Sequence, residues 1–159
     1  MELRRRPGTE RVIALRTPLP GLAITASRVL DDAELAVDGV LEAIEGAITI
    51  TGSVIAPWVG ECRRCLEPVE GTLDVVMSEV FEPRPVEGET YLLDGDEVDL
   101  EPVVRDAVLL HLPLAPLCSP DCAGPAPSEF SVLDATEDAA LDTRDPRWAV
   151  LDELRFDAD

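Results

Sequence analysis

Cys62-Arg63-Arg64-Cys65 and Cys118-Ser119-Pro120-Asp121-Cys122 hold the four cysteines of this chain in two close pairs, a C-x-x-C and a C-x-x-x-C. Thiolates two or three residues apart can both turn toward one ion, and a second such pair completes a tetrahedron. Zinc takes four ligands and accepts thiolate, so the expected site is a structural Zn²⁺ held by Cys62, Cys65, Cys118 and Cys122. Pro68, Pro116 and Pro120 place both pairs on tight turns. The same thiols have other chemistries. Disulfides belong to oxidising compartments, and nothing in the sequence signals export. A thioredoxin-like redox pair would open a helix after a strand, whereas Leu66-Glu67-Pro68 breaks a helix early. Four unrelated structural thiols would seldom fall into two pairs. Metal is the reading that uses both spacings.

A Cys₄ zinc site carries net negative charge and needs donors around it. Arg63 and Arg64 lie inside the first pair, and at least one of them is expected to supply that support; the other role open to them is an outward contact to phosphate or another partner. A catalytic zinc would keep an open position and use histidine or carboxylate ligands near a base. The single histidine, His111, reads as a satisfied group at a helix end. No Gly-rich phosphate loop, G-x-S-x-G or H-E-x-x-H is present. Carboxylates abound without positional pattern, so no acid/base pair is identified and no enzyme is expected.

The charge balance, 13 Lys+Arg against 33 Asp+Glu, gives −20, and every one of those basic residues is arginine. Such a surface repels phosphate backbones and attracts basic partners, the reverse of a dedicated nucleic-acid binder. Direct RNA binding is therefore disfavoured, though the run Arg4-Arg5-Arg6 has the charge for it; a solvated basic end is the plainer reading. Neither a signal peptide nor an apolar run long enough to span a bilayer is seen, so a soluble, cytoplasmic protein with no membrane contact is expected.

The elements that must position the cysteines follow from periodicity. Leu35, Val37, Leu41 and Ala43 alternate with Glu34, Asp38 and Glu42, as in a strand buried on one face. After a Glu45-Gly46 turn the alternation resumes with Ile48, Ile50, Val54, Ala56 and Trp58, and again after the first cysteine pair with Leu73, Val75, Met77 and Phe81. Leu19–Thr25 reads as a connection, and Tyr91-Leu92-Leu93 as a brief strand. Asp99 is a candidate cap for a helix with Glu101 and Pro102 in its first turn; Val103 to Leu112 are apolar nearly all round, so burial is expected until Pro113 stops it. The predicted fold is α+β: an antiparallel β-meander sheet packed by one buried helix, with a short C-terminal helix after an acidic linker. Residues 1–124 form the zinc-stapled domain, 125–145 the linker, and 146–159 the helix. Trp148, Leu151 and Leu154 fall at helical spacing there and suit either docking on the domain or binding a partner.

Taken together, Cys62–Val69, Val98-Asp99-Leu100-Glu101-Pro102 with Val104-Arg105-Asp106, and Leu112-Pro113-Leu114-Ala115-Pro116-Leu117-Cys118 through Cys122 resemble the YceD family, the large ribosomal RNA subunit accumulation proteins. Asp145-Pro146-Arg147-Trp148 is similar to the end of actinobacterial members. Many members continue with a further C-x-x-C-Gly where this chain has Gly124-Pro125-Ala126-Pro127-Ser128; the four cysteines present still suffice for one zinc. The resemblance implies a factor supporting 23S rRNA accumulation and large-subunit biogenesis. Joined to the charge, it leads to the expectation of a non-enzymatic scaffold that binds a basic ribosomal protein or pre-ribosomal particle. An RNA-processing enzyme acting on rRNA precursors is the alternative, and thiol-based sensing a third reading.

Overall fold

Alternating apolar and polar residues build most of this molecule. The computed structural model describes residues 7–125. The run Arg4–Arg6, Trp148, and the linker and terminal helix expected from the sequence, all but Pro125, lie outside the described residues.

Strand β1 spans Glu10–Pro18, β2 Ser27–Arg28, β3 Glu34–Ile44, β4 Ala47–Glu61, β5 Pro68–Glu82, β6 Tyr91–Asp94 and β7 Glu97–Val98; helix α1 spans Glu101–His111. The expected alternation holds in the three long strands. Leu35, Val37, Leu41 and Ala43 of β3, Ile48, Ile50, Val54 and Ala56 of β4, and Val75, Met77 and Phe81 of β5 are all buried. β3 and β4 turn at Glu45-Gly46, with Gly46 at φ 81°. β4 and β5 pair from Ile48↔Phe81 to Glu61↔Pro68, which leaves Cys62 and Cys65 on their connection.

Three features depart from the expected meander. The sheet is seven-stranded and mixed, in the order β1-β3-β4-β5-β6-β7 with β2 beside β4. β1 is an edge strand on β3, and β6 joins β5 in parallel at Phe81↔Tyr91. The parallel entry follows from the loop after β5. Thr90 Oγ1 accepts from the Val86 amide at 2.7 Å and donates to Glu82 Oε1 at 2.8 Å, folding the chain back so that it re-enters in the same direction. The segment read as a connection near Leu19–Thr25 also contributes to the core: Leu22 and Val29 are buried, and Ser27 and Arg28 pair with Gly60 and Val59. Isolated apolar residues among prolines and glycines carry no period that could announce this.

Two glycines shape the curl of the sheet. Gly39 and Gly52 face each other across β3 and β4, on the parity that points into the core. A Cβ on Gly52 would lie 2.2 Å from the Asp38 carbonyl oxygen and 2.6 Å from the Gly39 Cα. The strands approach at this point more closely than side chains would permit. Gly71 has a related role, because the Trp58 indole lies within 2.8 Å of where its Cβ would be.

Helix α1 lays one face on the sheet. Val103, Val104 and Val108 are buried, and Leu112 follows them into the core, whereas Leu110 is 82% exposed. The expectation of burial nearly all round is thus corrected: at about 100° per residue, Leu110 points roughly opposite to Val108. The cap also differs. Leu100 occupies the N-cap position without a side-chain bond, while Asp99 Oδ1 accepts from the Glu101 amide at 2.9 Å. Arg105 pairs with Glu101 at 2.8 Å and donates to the carbonyl of Pro20 at 3.2 Å, tying the helix to the chain before Leu22. Among the described residues no helix is long and apolar enough to cross a membrane.

Tyr91 links sheet and helix. Its ring sits 5.7 Å from that of Phe81, and its hydroxyl donates to Asp106 Oδ2 at 3.0 Å. Burial, then the hydrogen bond and charge of Asp106, push the phenol up from its ordinary 10 to about 12. The fold therefore favours the protonated phenol. That contribution is fully present below pH 10 and is lost as pH rises toward 12. Tyr91→Phe is expected to flatten the alkaline limb of the stability curve across this interval, read by urea unfolding at stepped pH.

Candidate metal centre

The two cysteine pairs converge. Cys62 and Cys65 sit between β4 and β5, Cys118 and Cys122 on the segment after α1, and their four sulfurs all lie within 4.8 Å of one another. Cys62 Sγ is 3.8 Å from Cys122 Sγ, and Cys65 Sγ is 3.6 Å from Cys118 Sγ. Zn–S bonds of about 2.3 Å in a tetrahedron require sulfurs roughly 3.8 Å apart, so the donor set fits a thiolate-bound metal ion. All four are free cysteines, and their sulfurs stand well beyond the ~2.05 Å of a disulfide bond. Cys62 is buried and Cys118 exposed, so the cluster faces solvent on one side.

Backbone hydrogen bonds shape each turn. The Cys62 amide donates to the Glu67 carbonyl at 2.8 Å, and the Leu66 amide to the Cys62 carbonyl at 2.9 Å. Closing that ring puts Leu66 at φ 63°, the one non-glycine residue with positive φ among the described residues. The left-handed conformation costs an L-residue about 1–2 kcal/mol, so the turn is held against a local preference. The Cys122 amide donates to the Ser119 carbonyl at 3.1 Å, and the Arg63 amide to the Pro116 carbonyl at 2.9 Å, joining the two turns.

The thiols are electrostatically unequal. Cys62 is lowered to about 6 because the backbone N–H groups of Cys65 and Cys118 donate to its sulfur, outweighing burial. Cys118 is pushed up to about 12, first by the sulfur of Cys122 and then by those of Cys65 and Cys62. At Cys65 the Glu67 amide pulls down, but burial and the Cys62 and Cys122 sulfurs together raise it. The Cys62 thiolate is thus stabilised by backbone donors, while Cys65 and Cys118 resist ionising beside it. A divalent cation at the centre would relieve that repulsion.

Arg63 and Arg64 divide as the sequence allowed. Arg64 Nη1 donates to the carbonyls of Cys122 at 2.8 Å and Pro120 at 3.2 Å, so it clamps the second pair against the first. The Arg63 side chain makes no hydrogen bond or ion pair among the described residues; it lines a cleft of about 620 Å³ with Arg28, Leu66 and Pro116. Arg64→Ala is expected to weaken metal retention roughly 10-fold or more, the usual loss when a group supporting metal ligands is removed. Competition with a chromophoric chelator reads it directly. His111 stands apart from the cluster, its Nδ1 donating to the Ala107 carbonyl at 2.8 Å, as expected for a satisfied group at a helix end. What sequence reasoning missed is how the turns dock. The acceptors are the backbone carbonyls of Pro116, Pro120 and Cys122, and carbonyls carry no side-chain signal.

Comparison with known proteins places this geometry. The family model described as large ribosomal RNA subunit accumulation protein YceD matches residues 50–155. That interval contains all four cysteines and Arg64. An uncharacterized protein of Mycobacterium tuberculosis is 36% identical over 146 residues, covering 87% of this chain and 68% of the relative. One from Mycobacterium leprae is 34% identical over 163 residues, covering 96% of this chain and 74% of the relative. No solved structure matches. With two thirds of its length matched by the family model, and relatives that align with most of the chain, this protein belongs to the YceD family.

Proposed function

We propose that this chain is a non-enzymatic factor that supports accumulation of large-subunit (23S) ribosomal RNA, and that it works by holding a basic ribosomal protein or a pre-ribosomal particle. The observation that carries this reading is the net charge of −20 on a member of a family named for ribosomal RNA accumulation. A surface of that sign steers toward arginine- and lysine-rich proteins and away from bare RNA. Ribosomal proteins are held in their particle largely by phosphate, so an acidic scaffold can shield the same cations before assembly. The four thiolates hold a zinc ion whose task is structural: it joins the β4–β5 turn to the segment after α1. The place of action is the cytoplasm, where ribosomes are assembled.

A pull-down with the full chain, at low and at moderate salt, tests this. The expected result is retention of basic proteins at low salt, weakening as salt rises, since screening shortens the reach of exposed charge to about 10 Å at 0.1 M. Tight binding of rRNA fragments by the purified protein with no protein partner would overturn it. Divalent-metal-dependent turnover of precursor RNA would establish the alternative, an RNA-processing enzyme.

A further inference from the structure

β5, the strand that follows the first cysteine pair, has a long outer side that no other described strand covers. β5 is paired with β4 over nearly its whole length, but on its other side it meets only β6, at Phe81 and Glu82. Between Val69 and Glu79, no described residue bonds to the backbone groups on that outer side. An open strand edge of this length is a template for a further strand, and proteins that leave it unused commonly blunt it. The opposite edge of the sheet, β1, is blunted: it carries Arg11 and Arg16 and ends at Pro18.

The chemistry along β5 is one-sided. It contains Glu70, Asp74, Glu79 and Glu82 and no arginine. At its centre Val76 is 78% exposed, and Ile55, which pairs with Asp74 on the same solvent face, is 41% exposed. An apolar spot thus sits beside acidic side chains, directly next to backbone donors and acceptors that no described residue pairs.

We infer that this edge receives an extended, basic segment of a partner protein as an added antiparallel or parallel strand. The inference rests on the basic partner proposed above and specifies where and how it is held. Main-chain bonds to β5 supply the affinity, and alternate side chains supply the selection. On the solvent face the guest places an arginine or lysine beside Asp74 and an aliphatic residue beside Val76, positions two residues apart. A second copy of this chain is a poor guest, because β5 against β5 brings acid toward acid.

Hydrogen exchange of the full chain tests this with a capped peptide repeating Arg-Thr-Val-Thr as probe, which places arginine and valine two residues apart on one face, and a Glu-Thr-Val-Thr repeat as control. The arginine peptide is expected to slow exchange of amides in Val69–Glu79, to leave β1 unchanged, and to lose its effect as salt is raised. The double variant Asp74→Arg, Val76→Arg is expected to weaken peptide binding about 10-fold or more, from lost pairing plus like-charge repulsion. Both positions are exposed and remote from the cysteines, so unchanged metal content serves as the control for folding. Protection appearing on β1 or at the cysteine turns instead would overturn the inference. So would concentration-dependent protection of β5 without peptide, the mark of a second copy. Absence of peptide binding by a protein that still retains basic proteins in the pull-down removes the β5 edge and leaves the proposed function standing. Failure of both removes both.

Discussion

Freshly purified protein is expected to carry one zinc per chain, and Cys118→Ser to lose it. The four sulfurs already stand at separations a tetrahedral thiolate site requires, all within 4.8 Å of one another, with 3.8 Å between Cys62 and Cys122 and 3.6 Å between Cys65 and Cys118. Structural zinc supplies on the order of 10 kcal/mol to isolated finger peptides. Here the sheet has its own core, with Phe81, Ile48, Ile50 and Val54 fully buried. Metal loss therefore frees the β4–β5 turn and the segment after α1 and leaves the sheet in place. A loss of about 3–5 kcal/mol is expected, lowering Tm by roughly 6–20 °C at about 2–4 °C per kcal/mol for a chain of this size. Elemental analysis and thermal scans with and without chelator read both quantities. Because every ligand must shed its proton, occupancy falls as the solution is acidified. Metal-free protein with an unchanged Tm would show that these thiols are structural on their own, and iron in place of zinc would correct the identity of the ion but not the site.

Gly52→Ala is expected to cost about 3 kcal/mol, a large share of the total stability of a domain this size. The added methyl meets backbone on both sides: the Asp38 carbonyl oxygen at 2.2 Å and the Gly39 Cα at 2.6 Å. No rotamer change relieves that contact, since neither neighbour is a side chain, so the strands themselves must part. Thr51→Ala, one residue away on the solvent face, is the matched control and is expected to stay within about 0.5 kcal/mol of the parent. Gly46→Ala is an intermediate case. Nothing lies within 4 Å of its Cβ, but φ is 81°, so only the left-handed conformation is penalised, by about 1 kcal/mol. Denaturant unfolding of the three variants orders them, and a Gly52→Ala protein as stable as its parent would contradict the close approach of β3 and β4.

The long strands were legible because burial on one face writes itself into every second residue. Leu35 to Ala43, Ile48 to Ala56 and Leu73 to Phe81 all lie where their alternation puts them. The cysteines were legible for a similar reason: spacing within each pair is a local property, and local spacing decides whether two sulfurs can share one ion. The helix was legible in extent and misread in burial, since a count of apolar residues does not reveal that Leu110 is left exposed.

Sequence by itself determined the two cysteine pairs, the strand periods, the helix and the sign of the surface charge, because each depends on residue type at short separation. Only the tertiary structure decided that the two cysteine turns meet, that Arg64 rather than Arg63 clamps them, that β6 enters parallel, and that the acidic outer side of β5 is left unpaired by the other described residues. Those outcomes depend on backbone carbonyls and on strand order. Every residue carries the first alike, and long-range packing sets the second, so neither leaves a mark in the order of side chains.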